Sequence, residues 1–195
     1  MPRASVQPAR REALIKAAIE EVGTVGLVDV TVSRIARRAG VSSALAHHYL
    51  GSKDDILQAA MRRILTDYGE AVREAYRTAK DPRARIDAVI RSSFCEGQFD
   101  RAVIGAWLTF YVQAHHSAEA SRLLSIYARR LDSNLVHALR SLVPLSSARR
   151  IAQGLASMID GFYIRAALQE GAPDRTYAIA MVTEYLDLCL EKELA

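Results

Sequence analysis

The chain has 195 residues, enough for one sizeable core or for a small unit joined to a larger one. Half of the residues are hydrophobic, Gly and Pro total 15, and no hairpin turn separates alternating strand patterns, so the composition favours an all-α fold and excludes a disordered chain. The formal net charge of +4 lies at one end, because residues 1–63 carry ten Lys or Arg and six Asp or Glu, whereas residues 64–195 carry sixteen of each.

Capping residues and helix breakers predict nine helices along the chain. Gly26 ends the first, Pro144 stops the seventh, and the segment 171–174 separates the last two. Ser146 or Ser147 is expected to cap the eighth helix. Counted with their capping residues, the helices are predicted at about 7–22 or 7–25, 31–39, 42–50, 52–78, 81–93, 100–115, 117–142, 146–169 or 147–169, and 175–193.

The second and third predicted helices meet at a single glycine, as in a helix-turn-helix. Thr31 can cap the second helix through its hydroxyl, Gly40 supplies the positive φ that follows it, and Ser42 can cap the third. Helical spacing then places a small apolar set on the inward side of the pair. That set is Ile35, Ala36, Ala39, Ala46 and Leu50.

The third predicted helix leaves short polar side chains outward, which suits a close approach to base edges in the DNA major groove. An ordinary helical hairpin is the alternative, because such corners also occur in bundles that bind no nucleic acid. The basic excess around the hairpin favours DNA, since phosphate neutralisation requires a local positive surface. The outward residues are Ser43, Ala44, His47 and His48, with Tyr49 beside the DNA backbone.

A capping-box pattern, Ser52-x-x-Asp55, begins a long amphipathic helix that leaves this head. We therefore predict a DNA-binding domain at 1–52 and a helical regulatory and dimerisation domain at 53–195. The last two helices carry broad apolar faces, which suit either a two-fold interface or the monomer core. Those faces comprise Ile151, Leu155, Met158, Ile159, Phe162 and Ala166 on one helix, and Tyr177, Met181, Tyr185, Leu188 and Cys189 on the other.

An enzyme is the competing functional class, and few residues support it. The adjacent pairs His47-His48 and His115-His116 cannot converge on one metal, because neighbouring helical residues point about 100° apart. No nucleophile elbow, phosphate loop or His-Glu-x-x-His motif occurs. We therefore expect no enzyme, no metal and no cofactor.

The cysteines and the first residues of the chain bear on its compartment. Cys95 and Cys189 are far apart and belong to no Cys-x-x-Cys pair, which is typical of reduced thiols. The basic start, with Pro2 and Arg3, matches neither a signal peptide nor an anchor, and no stretch of about 18 apolar residues occurs. We expect a cytoplasmic protein with no membrane partner.

The segment from Thr31 to Lys53, followed by a long amphipathic helix, resembles the DNA-binding domain of the tetracycline-repressor (TetR) family. A second resemblance, to the choline-responsive BetI subfamily, extends along the whole chain in short blocks. The blocks are residues 10–15 (RREALI), 35–42 (IARRAGVS), 106–108 with Phe110, 129–131 with 133–135, and 159–161 through 165–168.

This resemblance implies a homodimeric repressor that binds double-stranded operator DNA and controls glycine betaine synthesis from choline. Its last two helices are expected to pair with those of a second copy. Choline, a quaternary ammonium, is the implied effector that releases the DNA, and a drug or another cationic metabolite is the alternative. A helical adaptor that binds only proteins would leave the basic head unexplained.

Each outward residue of the head then has an expected role. Ser43 and His47 are predicted to read base edges, and Ala44 is predicted to contact a thymine methyl group. Ser42 belongs to the same surface as the cap of the reading helix. The residues predicted to hold phosphates are Thr31, His48, Tyr49 and Lys53.

Aromatic residues predict an effector site in the larger domain. Trp107, Phe110 and Tyr111 share one helix face, and Asp160, with Tyr163 three residues on, lies in an apolar run where a carboxylate needs a partner. From the residues alone, these side chains could equally form an aromatic core with a salt bridge. The BetI resemblance favours a cage for a quaternary ammonium, which aromatic faces and a carboxylate bind well. The arginines available for the alternative salt bridge are Arg129, Arg130 and Arg165.

Overall fold

The computed structural model describes residues 6–169 and 174–194. Within those residues the fold is all-α with nine helices and no strand, as the composition predicted. No helix there is long and apolar enough to cross a membrane. The helices are α1 (Val6–Asp29), α2 (Val32–Arg38), α3 (Ser43–Leu50), α4 (Lys53–Thr78), α5 (Pro82–Ser93), α6 (Arg101–Ala114), α7 (Ala118–Leu139), α8 (Leu145–Leu168) and α9 (Arg175–Leu194).

The observed helix ends agree closely with the predicted ones, with one correction at α8. That helix begins at Leu145 with Pro144 in the N-cap position and no side-chain cap, so neither Ser146 nor Ser147 caps it. The Ser147 hydroxyl instead donates to the Glu193 carboxylate of α9, over 2.5 Å. Of the break predicted at 171–174, residues 171–173 lie outside the described part of the chain.

The first three helices form a small head whose corners follow the predicted turn chemistry. Gly26 leaves the helical conformation with φ 73° and ψ 179°, so the first helical run ends there, as predicted, and a short second run continues α1 to Asp29. The hydroxyls of Thr31 and Ser42 accept the amides of Arg34 and Leu45, each at 3.2 Å. Gly40 takes φ 68° between them, the left-handed conformation that glycine adopts without steric cost.

Helix α4 joins the head to the rest of the protein. Ser52 and Asp55 form the predicted capping box, in which each side chain binds the backbone N–H of the other residue. The apolar side of α4 packs against both parts, and buried residues from the head and from the body form one continuous hydrophobic cluster. The two predicted domains therefore share a core.

Helix α1 crosses α6 with almost no side chain between the two backbones. A Cβ atom on Gly23 would lie 2.2 Å from the carbonyl oxygen of Ala102, and one on Gly105 would lie 2.8 Å from the Cα of Gly23. Real Cβ contacts are not this short, so only glycine fits at these two positions. The head is thus fixed to the body at a second place besides α4.

The structure divides the apolar residues of α8 and α9 between the core and the surface. Ile151, Leu155 and Ile159 are fully buried within the monomer, so the predicted α8 face is in part a core face. Helical geometry explains this, because α8 packs on α6 and α7 through that side. The large apolar side chains that stay exposed near the end of α8 and on α9 are Ile164, Leu168, Tyr177 and Leu188.

We expect Gly23→Ala to lower the stability of the whole protein, because its new methyl group would meet the backbone of Ala102. Forced overpacking of this kind costs roughly 1–3 kcal/mol, which corresponds to several degrees in the melting temperature. Gly69→Ala in α4 is the control, since a Cβ there meets nothing within 4 Å. Thermal melting that shows equal stabilities for the two variants would contradict the tight crossing.

Candidate functional site

The outer face of α3 carries the residues predicted to read DNA. Ala46 and Leu50 are buried against the head, as predicted, and Ala44, His47 and His48 are exposed. Ser43 and Tyr49 are half-buried at the edges of this face. The helix therefore presents a short, polar, continuous surface of the kind that enters a major groove.

His47 is held in one orientation by its own helix end. Its Nδ1 lies 2.9 Å from the carbonyl oxygen of Gly51, which takes φ 81° at the C-cap of α3. A carbonyl only accepts, so Nδ1 carries the proton of the neutral ring and Nε2 is the acceptor. In that form His47 is suited to a base amino group, such as N6 of adenine or N4 of cytosine.

Ser43 and His48 also contact neighbouring side chains. The Ser43 hydroxyl donates to that of Ser33 on α2 over 3.2 Å, and the His48 ring packs edge-on against Tyr49 at 5.4 Å. Thr31 is exposed at the start of α2, and Lys53 is the first residue of α4. The residues predicted to hold phosphates therefore lie at helix starts and along the edge of α3, around the base-reading face.

A buried carboxylate fixes α2 against α1. Glu21 accepts from Arg34 Nε at 3.0 Å and from Arg38 Nε at 2.7 Å, while its own side chain is only 7% exposed. The hydrogen bond from Arg38 lowers the pKa of Glu21, with a further contribution from Arg34, and burial opposes them. We call this three-residue set the head brace. Two arginines of the basic region, Arg34 and Arg38, are therefore paired with a carboxylate inside the head.

Five aromatic rings pack together in the body, and two of them reach Asp160. We call Tyr68, Trp107, Tyr111, Tyr127 and Tyr163 the ring cluster. Trp107 is central, with ring centroids 4.7 Å from Tyr127, 5.8 Å from Tyr111 and 6.1 Å from Tyr163. Tyr68 packs edge-on against Tyr127 at 5.7 Å. The rings come from α4, α6, α7 and α8, so the cluster joins most of the body.

Asp160 is bound by tyrosine hydroxyls. Tyr111 donates to its Oδ1 over 2.9 Å, and Tyr127 lies 3.5 Å from the same oxygen. No Arg or Lys among the described residues lies within 4 Å of this carboxylate, so the salt bridge to Arg129, Arg130 or Arg165 is not formed. Burial raises the pKa of Asp160, and the two hydroxyls oppose this only in part.

The tyrosines of the cluster are strongly dehydrated as well. Burial raises the pKa of Tyr68 to about 12, and burial together with the charge of Asp160 raises the pKa of Tyr111. The hydroxyl of Tyr163 is fixed by the backbone, since it donates to the carbonyls of Ser93 and Gln98 at 2.5 and 3.1 Å. The tyrosines of the cluster therefore stay neutral near pH 7.

Four of the five residues predicted for the effector site meet in this cluster, and the fifth, Phe110, lies beside it, because its ring packs edge-on against Trp107 with centroids 6.1 Å apart. Phe110 is also buried next to Val22, Leu57 and Met61, and so connects the cluster with α1 and α4. Sequence reasoning missed Tyr68 and Tyr127. Tyr68 continues the apolar repeat of α4, which gives it the appearance of a core residue, and Tyr127 has no local signal, since its role depends on how α7 packs on α8.

A groove between α4 and α7 leads to the outer side of the ring cluster. Its volume is about 580 Å³, and Tyr68 and Tyr127 belong both to its lining and to the cluster. A small ligand in this groove would contact those two rings before reaching Trp107. The other large side chains that line it are Arg62, Arg73, Tyr76 and Arg130.

The ring cluster and Asp160 together form an environment for a cation. Aromatic faces attract a cation by about 0.5–2 kcal/mol each, and an opposite charge acts more strongly in a buried site than in water. Asp160 supplies a carboxylate here, and no Arg or Lys among the described residues lies within 4 Å of it. A cation from outside the described residues would meet both aromatic rings and a carboxylate without a charged partner there.

Two segments of the chain match known protein families. A family described as BetI-type transcriptional repressor, C-terminal, matches residues 82–191, and one described as bacterial regulatory proteins, tetR family, matches residues 14–60. The HTH-type transcriptional regulator BetI of Brucella canis is 50% identical over 190 residues, covering 97% of this chain and 96% of that protein. Its counterpart in Rhizobium meliloti is 46% identical over 187 residues, covering 96% and 92%.

Solved structures share the fold at lower identity. A transcriptional regulator from Saccharomonospora viridis, in complex with choline, superposes with a TM-score of 0.81 at 20% identity and covers 91% of this chain and 95% of that one. A TetR transcription regulator from Haloarcula marismortui superposes with a TM-score of 0.81 at 22% identity, covering 93% and 98%.

We expect the head brace to contribute stability that depends on pH. Because the pKa of Glu21 in the folded protein lies below its ordinary value of 4.5, this stabilisation is complete above that pH and is lost as the pH falls through the folded pKa. Glu21→Gln should therefore cost about 1–3 kcal/mol at pH 7 and progressively less in acid.

Thermal melting of the wild type and of Glu21→Gln from pH 7 down to about pH 2 measures this difference, because the loss occurs below pH 4.5. Glu20→Gln is the control, because Glu20 forms only an exposed pair with Arg38 and such pairs contribute little. A stability difference for Glu21→Gln that stays constant over this pH range would contradict the brace.

Proposed function

The chain belongs to the TetR family of bacterial regulators and carries a BetI-type repressor C-terminal domain, and from this we propose that it represses the genes for glycine betaine synthesis and responds to choline. Both resemblances found in the sequence are thereby confirmed. The protein is a DNA-binding transcriptional regulator and not an enzyme. The genes that it controls and the effector that it senses are the parts that we propose.

One observation carries the proposal: Asp160 is a dehydrated carboxylate among aromatic rings with no cationic side chain beside it in the described chain. A quaternary ammonium suits this site for a specific reason. It carries no proton that it could lose to the carboxylate, and its methyl groups contact aromatic faces without needing hydrogen bonds. Choline therefore supplies the missing charge at a small cost in dehydration.

A structural relative supports the same effector. The Saccharomonospora viridis regulator, which has this fold, was solved in complex with choline. The 50% and 46% identity to BetI regulators over nearly the whole chain adds support, because the BetI-type repressor family also matches the C-terminal part of this chain. We propose choline for the present chain on these grounds together with the chemistry of Asp160.

We propose that the protein acts as a homodimer through α8 and α9. The exposed apolar side chains there suit a two-fold interface. Two reading heads related by such an axis contact half-sites about 34–36 Å apart, which is one turn of DNA. The interface side chains we propose are Ile164, Leu168, Tyr177 and Leu188.

Choline must act by binding one conformation of the body better than another. If choline favours a conformation in which the heads no longer match one turn of DNA, it lowers operator affinity, and DNA lowers choline affinity by the same factor. Equal choline affinities with and without operator DNA, measured by titration calorimetry, would contradict this switch.

We expect His47→Ala and Lys53→Ala to weaken operator binding in different ways. Loss of the oriented imidazole should relax base preference at one position of each half-site by about 1–3 kcal/mol. Loss of a phosphate contact should weaken binding to all sequences alike and lower the salt dependence by about one unit of slope. Fluorescence anisotropy with matched and single-mismatch operators over a salt series separates the two effects, and the reverse pattern would refute these roles.

We expect Asp160→Asn to lower choline affinity at least tenfold, which is about 1.4 kcal/mol, while operator affinity without choline stays near that of the wild type. The change keeps the shape and the acceptor for Tyr111 but removes the charge. Asp132→Asn, an exposed change on α7, is the matched control and should leave choline binding unaltered. Titration calorimetry and anisotropy measure the two affinities.

The melting temperature of Asp160→Asn distinguishes an effector site from a structural one. Because burial raises the pKa of Asp160, its charge does not favour folding, and the variant should melt at or above the wild-type temperature without choline. A variant that melts much earlier and still binds choline normally would make Asp160 a structural residue. A wild type that does not bind choline would favour another cationic effector.

A further inference from the structure

The indole N–H of Trp107 is a buried donor without an acceptor. Trp107 is only 3% exposed, and its Nε1 is the buried side-chain polar atom that lacks a hydrogen-bond partner within the described residues. Buried donors are normally paired, because they lose their bonds to water on folding. An unpaired one inside a candidate binding site indicates a missing acceptor.

The neighbouring hydroxyls do not supply that acceptor. Trp107 packs against Tyr111, Tyr127 and Tyr163, and each of these points its hydroxyl elsewhere. Two of them face Oδ1 of Asp160, and the third donates to backbone carbonyls. None of these three hydroxyls accepts from the indole, and all three donate to other groups.

We propose that the Trp107 N–H binds an oxygen atom of the effector, so that Trp107 selects cations that carry an oxygen near the ammonium. This rests on the proposed function, since it assumes that a cation lies beside Asp160. The carboxylate uses Oδ1 for the tyrosines, which leaves Oδ2 without a hydrogen bond from a described residue. The carboxylate and rings then bind the charge, and the indole identifies the ligand by its oxygen.

A pair of ligands isolates this contact. Choline and propyltrimethylammonium have nearly the same shape and charge, but the second carries a methyl group in place of the hydroxyl. The wild type should bind choline at least tenfold tighter. Trp107→Phe keeps an aromatic face and removes the N–H, so it should weaken choline and bring the two affinities within about threefold of each other.

Trp107 also reports on the contact directly, because it is the single tryptophan of the chain. One indole resonance is therefore expected in a ¹⁵N-correlated NMR spectrum of the wild type. Choline should move its N–H signal towards lower field, as a new hydrogen bond does, and propyltrimethylammonium should leave it nearly in place. This measurement needs no variant, so it holds even if Trp107→Phe folds poorly.

The outcomes separate this inference from the proposed function. Equal wild-type affinities for the two cations, with no differential shift of the indole signal, would overturn the role of the N–H and leave the cation site standing. A Trp107→Phe variant that loses affinity for both ligands by the same factor would do the same. If neither cation binds the wild type, both proposals are overturned.

Discussion

A carboxylate can be buried in a protein only if something replaces the water that it loses, and both working parts of this molecule are organised by that constraint. Glu21 in the head is balanced within the chain by Arg34 and Arg38. Asp160 in the body is balanced only by tyrosine hydroxyls, which are dipoles and not charges. The first arrangement is complete by itself and rigid. The second leaves a carboxylate without a charged partner among the described residues, which is the ground for the cation site proposed above.

This difference fits the tasks of the two parts. A reading helix must hold one orientation towards DNA, and the internal arginine pairs prevent α2 from shifting on α1 while α3 remains free to face outward. A ligand-sensing site must instead interact more favourably with its ligand than with the protein's own side chains. Because no cationic side chain among the described residues lies beside Asp160, a cationic ligand would bind there without first breaking an ion pair. Its binding free energy would then favour the conformation that holds it.

Much of the head and little of the sensor could be predicted from the sequence, for a physical reason. Caps and turns such as Thr31, Gly40 and the pair Ser52 and Asp55 depend on neighbouring residues, so local patterns determine them. Tyr127 joins Asp160 only through the packing of α7 on α8, which no local pattern contains. The same holds for the burial of Ile151 and Ile159, whose stripe could equally have faced a second copy.

The crossing of α1 and α6 at Gly23 and Gly105 couples the orientation of α6 to the position of α1. Tyr111 lies six residues beyond Gly105, which is about 9 Å along the helix axis. The two backbones touch at the crossing with no side chain between them that could adjust, so α6 pivots about that contact. Any tilt of a straight α6 that displaces Trp107 and Tyr111 therefore presses α6 against α1. The displacement then reaches the head through direct backbone contact, without an intervening side chain.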